Sequence, residues 1–179
     1  GDLVENGGWA QASGTVSPIQ VVDESLVYEG YQAIATGKAI KVQNVKSGQK
    51  LKYIFAAGGT LAETVYVSFL MKIQDFNKVG DNGQDDELTK ANNFFSLTKK
   101  GGTTEYAKIY IEEDAGSGKF KVDVVRNGSS GLSYMGEFDL NETYLVVVKF
   151  DPMVGSVSLF MNPVIHTVEP TPIVVKNSG

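Results

Sequence analysis

Apolar and polar residues alternate along this chain with a period of two. Over residues 64–73, Val65, Val67, Phe69, Met71 and Ile73 fall on one side, and Tyr66, Ser68, Leu70 and Lys72 on the other. Successive side chains of a strand point to opposite faces, so this stretch predicts a half-buried strand. The pattern returns over residues 105–113, where Ala107, Ile109 and Ile111 alternate with Tyr106, Lys108 and Tyr110. It returns again in Phe120, Val122 and Val124, in Tyr144, Val146, Val148 and Phe150, and in Val157, Leu159 and Met161. Fainter versions predict strands over residues 20–22, 25–28, 39–43, 51–55, 93–97 and 132–138, about eleven strands in all.

Turn clusters separate these runs: Ser47-Gly48, Gly58-Gly59, Gly101-Gly102, Gly116-Ser117-Gly118, Asn127-Gly128 and Asp151-Pro152. Hairpins closed this way imply antiparallel pairing. The helical period fails almost everywhere. Residues 85–93 (DDELTKANN) open with acidic groups but lack an apolar stripe, and they predict a loop or at most one helical turn. Many short strands at regular spacing predict an all-β sandwich or barrel. No repeat or composition break interrupts residues 14–163, so the expectation is one domain over residues 1–179, irregular over 1–13. The tail carries Pro163, Pro170 and Pro172, and proline cannot donate to a ladder. Residues 164–179 are therefore expected to form an edge strand or a wrapping tail.

Composition narrows the chemistry. With 179 residues the domain can bury roughly 70% of its unfolded surface without staples. There is no cysteine, which excludes disulfides, thiolate metal sites and cysteine nucleophiles. Sixteen Lys and Arg against 21 Asp and Glu give a net charge of −5, and the basic residues are scattered, which argues against nucleic acid as a partner. No apolar run approaches the ~18 residues that cross a bilayer. The first residue is Gly1 in place of Met, so Gly1 is read as a cloning remnant and any export signal as removed or left out of this sequence.

Three stretches carry a resemblance. They are Ser25-Leu26-Val27-Tyr28-Glu29-Gly30-Tyr31 followed by Gly37-Lys38-Ala39-Ile40, then residues 64–71 (TVYVSFLM), then residues 143–150 (TYLVVVKF) with 157–163 (VSLFMNP). Together they resemble the concanavalin A-like lectin/glucanase superfamily, in particular the laminin-G-like jelly-roll domains of secreted bacterial surface proteins. The resemblance implies a two-sheet antiparallel jelly roll whose concave sheet or loop rim binds carbohydrate. It also implies a secreted, cell-surface or periplasmic location. Enzymes of the superfamily carry E-x-D-x-(x)-E on one strand, and this chain has no such cluster. The implied function is thus a non-catalytic binding or accessory module of an exported bacterial protein, with polysaccharide or cell-surface glycan as partner. A glucanase-type glycoside hydrolase and a spacer or adhesion domain without a small ligand are the alternatives.

Candidate side chains are few. A retaining glycosidase needs two carboxyl groups ~5–5.5 Å apart flanking the bond, and Glu112 and Asp114, two residues apart, would share a strand face. They stand at a strand end before Gly116-Ser117-Gly118, where water would keep both ionised. No cofactor is expected: the oxygen-rich run containing Asp81, Asp85 and Asp86 offers weak calcium ligands, but Gly83 comes too early for the calcium-loop pattern and the run reads as a solubilising acidic loop. His166, the single histidine, would have to serve any Ser–His–Asp arrangement, and it lies in the proline-bearing tail. Sugar rings stack on aromatic faces. Trp9, Tyr66, Tyr106 and Tyr110 are the ligand-binding candidates, with Tyr28, Tyr31, Tyr53 and Tyr134 behind them. Tyr66, Tyr106 and Tyr110 fall opposite the apolar faces and would form a platform if those faces line one concave sheet.

Overall fold

The computed structural model describes residues 4, 8–15, 18–31, 37–42, 49–54, 62–76, 92–99, 104–114, 116–126, 132–165 and 168–177. Among them every regular element is a strand, and every pairing is antiparallel. The chain divides into two compact units, Gly1–Leu26 with Gln32–Thr60, and Val27–Tyr31 with Leu61–Gly179.

The first unit holds β1 (Ala10–Ser13), β2 (Gln20–Val22), β3 (Ala39–Lys41) and β4 (Lys50–Lys52). β1 pairs with β4 and β2 with β3, as two separate ribbons. The Gln49 side chain accepts a hydrogen bond from the Ile19 N–H at 2.8 Å and so ties the entry of one ribbon to the other. The irregular start expected for residues 1–13 thus contains a strand, since Ala10 and Gln11 find register partners in Lys52 and Leu51. Residues 25–28 go the other way. They keep alternating exposure but carry no ladder, because a turn closed by Tyr31 N–H on the Tyr28 carbonyl (3.2 Å) follows at once.

The second unit is a pair of four-stranded sheets. β5 (Val65–Lys72), β10 (Thr143–Asp151), β11 (Ser156–Met161) and β12 (Val174–Asn177) form one, in the order β12-β11-β10-β5. The meander β6 (Asn92–Thr98), β7 (Glu105–Asp114), β8 (Lys119–Val125) and β9 (Met135–Asp139) forms the other. Asn92 and Asn93 open β6 rather than ending a helical turn, while residues 85–91 lie outside the described residues. The alternation decides which side chains meet between the sheets. Met71, Ile109, Ile111, Phe120, Val122, Val146, Val148 and Leu159 all belong to one buried cluster. Burying each such side chain stabilises the fold by roughly 1.5–3 kcal/mol.

The crossing from β9 to β10 fixes how the sheets face each other. Tyr144 turns its hydroxyl back onto Asp139, accepting from the Asp139 N–H at 2.7 Å and donating to its carbonyl at 3.2 Å. Asn141 sits at φ 66° in the corner and donates its N–H to the Ile73 carbonyl at 2.8 Å. The Tyr144 ring packs edge-on against Phe120 (5.7 Å) and Phe138 (5.3 Å), and those two rings lie 5.5 Å apart. Phe138 reaches this position through a bulge, since the β8–β9 register slips between Phe120 and Val122. Gly136 makes the bulge possible, at φ 71° and where a Cβ would clash with the Phe138 ring at 2.5 Å.

Asp151 caps the β10–β11 hairpin. Its Oδ1 accepts from the N–H groups of Met153 (2.9 Å) and Val154 (3.2 Å), and Gly155 closes the turn at φ 70°. At the far end Asn162 extends the ladder alone, its N–H donating to the Leu145 carbonyl (2.8 Å) while its Oδ1 accepts from the Leu145 N–H (2.9 Å).

Two substitutions test the corner. Tyr144→Phe strips the Asp139 amide of its acceptor and should cost about 1–3 kcal/mol in chemical denaturation. Gly136→Ala should cost about as much, because the new methyl meets Phe138 and the φ is unfavourable.

Candidate functional site

The outer face of the β5–β10 pair gathers the chemistry. Tyr66 and Lys149 are direct cross-strand partners, and alternation turns both away from the core. Between β11 and β12 the chain leaves the ladder and returns when Ile173 N–H bonds the Leu159 carbonyl at 2.8 Å. Within that excursion, Glu169 crosses to β10 and β5. Its carboxylate accepts from the Tyr66 hydroxyl at 2.5 Å and from Lys149 Nζ at 2.9 Å on both oxygens. Lys149 Nζ also stands 5.7 Å from the Tyr66 ring centroid, within cation–π reach. Two residues along the same face, Ser68 shares a hydrogen bond with the Tyr31 hydroxyl at 3.1 Å. Tyr66 remains 53% exposed.

The electrostatics of this cluster are mutual. The hydrogen bond from Tyr66, then the one from Lys149, holds the Glu169 carboxyl below the ordinary glutamate value. The same carboxylate raises the Tyr66 hydroxyl and the Lys149 ammonium above their ordinary values. At neutral pH the site therefore presents a carboxylate, an ammonium and a protonated phenol beside an open aromatic face.

The other expected residues are dispersed. Trp9 pairs with Tyr53 in the first unit, rings 5.6 Å apart and tilted by 48°, with Tyr53 52% exposed. Tyr106 stacks on Phe150 at 4.6 Å and packs against the core cluster. Tyr110 lies on the outer face of the meander, opposite Asp123 in the ladder. Tyr66 and Tyr110 therefore occupy the outer faces of opposite sheets, and the single platform of Tyr66, Tyr106 and Tyr110 does not form. Tyr134 buries its hydroxyl without a hydrogen-bond partner, and burial pushes its pKa to about 12.

Asp114 accepts a 2.9 Å bond from Lys121 Nζ, which holds its carboxyl below the ordinary aspartate value. That suits a surface ion pair and opposes the raised pKa that a general acid needs. Glu112 is exposed two residues earlier, opposite Lys121. Asp81, Asp85, Asp86 and His166 lie outside the described residues. Among the described residues, no three of His, Asp and Glu gather as a metal site.

No protein-family model, curated protein or solved structure matches this chain. The reading of the site therefore rests on its own geometry.

Alternation marked Tyr66, but nothing local to Glu169 signals that it comes home to β5, 103 residues away along the chain. The Glu169 tie has a sign in pH. A carboxylate held low contributes stability above its ordinary value of 4.5 and loses it as pH falls through the lowered folded value. Amide exchange at Val168, Glu169 and Thr171, corrected for intrinsic rates, should rise on acidification below pH 4.5. Glu169→Gln should show the raised exchange already at neutral pH and lose the acid dependence.

Proposed function

We propose that this chain is a non-catalytic, glycan-binding module of an exported bacterial protein, built as a concanavalin A-like jelly roll. The observation that carries this reading is the exposed Tyr66 face framed by Glu169 and Lys149. A pyranose ring offers a C–H face to an aromatic ring and hydroxyls at its edge. A carboxylate accepts from such hydroxyls and an ammonium donates to them. Glu169 stays ionised at neutral pH, so it binds rather than transfers a proton. Two facing antiparallel sheets, with the chain passing from one to the other after β5 and again after β9, are in keeping with a jelly roll.

A panel of immobilised polysaccharides, run with and without calcium, tests the reading. At least one glycan should retard the protein, and Tyr66→Ala should weaken that binding about tenfold, roughly 1.4 kcal/mol, with a cooperative denaturation transition retained. Failure of every glycan to bind would leave a spacer or adhesion domain without a small ligand. Hydrolysis of a β-glucan in the same panel would favour the glucanase alternative. Binding that appears only with calcium would return attention to Asp81, Asp85 and Asp86.

A further inference from the structure

Asp123 lies in β8 between Val122 and Val124, and its side chain is 0% exposed. Its Oδ1 accepts from the Val124 N–H at 2.8 Å, and its Oδ2 accepts from the Ser133 N–H at 2.7 Å. The third neighbour is a cation. Lys176, in β12 of the opposite sheet and 14% exposed, places Nζ 3.4 Å from Asp123 Oδ2. Stripping both ions of water costs about as much as their attraction returns, so the pair is a poor source of stability as it stands. An amide between the same two groups would remove both charges and keep an acceptor oxygen for the backbone N–H.

We propose that Asp123 and Lys176 condense into an intramolecular isopeptide bond that ties the last strand of one sheet to the meander of the other. A proton passes from the ammonium to Oδ2, giving an amine and a carboxylic acid. The Nζ lone pair attacks Cγ and the C–N bond forms. Negative charge gathers on Oδ1, where the Val124 N–H is already in place to receive it. A second proton leaves nitrogen for Oδ2, the Cγ–Oδ2 bond breaks, and water departs. Of the three ammonium protons one stays on the amide nitrogen and two leave in the water. The opposite charges cancel, and no oxidant, reductant or cofactor takes part.

The geometry gives each partner a role. Ser133 N–H holds the departing oxygen, and the strand positions of Lys176 and Asp123 hold the amine nitrogen 3.4 Å from that oxygen of the carboxyl group it must attack. β12 has four residues and, among the described residues, pairs only with β11. In a chain with no cysteine, an amide is a covalent tie available to such a strand. This inference does not rest on glycan binding.

Intact-mass spectrometry of the purified full chain decides it. The expected mass is one water below that of the sequence. A tryptic digest should then yield a branched peptide in which residues 122–126 are joined to residues 150–179, with Lys176 uncut. Lys176→Arg keeps the ion pair but not the amine nucleophile, and should restore the full mass. Full sequence mass in the wild-type protein overturns the proposal. So does a water loss without the branched peptide, which marks a cyclised aspartate instead.

Discussion

The corner at Tyr144 is the constraint on which the second unit depends. One side chain does two unrelated things there. Its ring packs edge-on against both Phe120 and Phe138, and its hydroxyl satisfies both backbone groups of Asp139 at the point where the chain leaves one sheet for the other. A chain changing sheets exposes backbone groups that neither ladder can satisfy, and leaving them buried and unpaired is costly. Tyr144 resolves that cost within five residues of sequence. The bulge at Gly136 is subordinate to it, because it sets the height at which Phe138 meets the Tyr144 ring.

With the corner fixed, the register of β10 against β5 follows, and that register places Tyr66 beside Lys149. A slip of one residue would turn both into the core and send Val148 and Val67 outward. The outer-face cluster is thus a by-product of core packing, to which the tail adds Glu169. Asn162 begins that excursion. By pairing with both backbone groups of Leu145, it ends the ladder cleanly and frees the following residues to leave the sheet.

The long alternating strands were legible because period-two burial leaves its mark directly on the sequence. β5, β7, β8, β10 and β11 fall where the alternation of Val65, Ala107, Phe120, Tyr144 and Val157 predicts, within a residue or two. The short ribbons were harder to read. β1 has no buried residue, so no apolar period announces it, whereas residues 25–28 alternate and yet pair with nothing among the described residues. Hairpin chemistry was legible at Asp151-Pro152, where the Asx turn is local. The site was only half legible. Tyr66 stood out as an aromatic on a polar face, but Glu169 and Lys149 look like ordinary surface charges until the tail is folded back. Asp123 was hidden by its setting, a lone carboxylate in the run Val122-Asp123-Val124-Val125 that reads as one polar beat of an alternating strand.

Two lysine–carboxylate pairs in this chain show how far surroundings govern the fate of one chemistry. Lys149 and Glu169 meet in water-accessible space at 2.9 Å, where ions are well solvated and the pair contributes little stability. There both groups stay charged. Lys176 and Asp123 meet at a longer 3.4 Å, yet one of them has lost all contact with solvent. Charge that costs little to keep in water is expensive to keep where solvent is excluded. An amine and a carboxylic acid held side by side and shielded from bulk water differ from an amide only by the water that must leave.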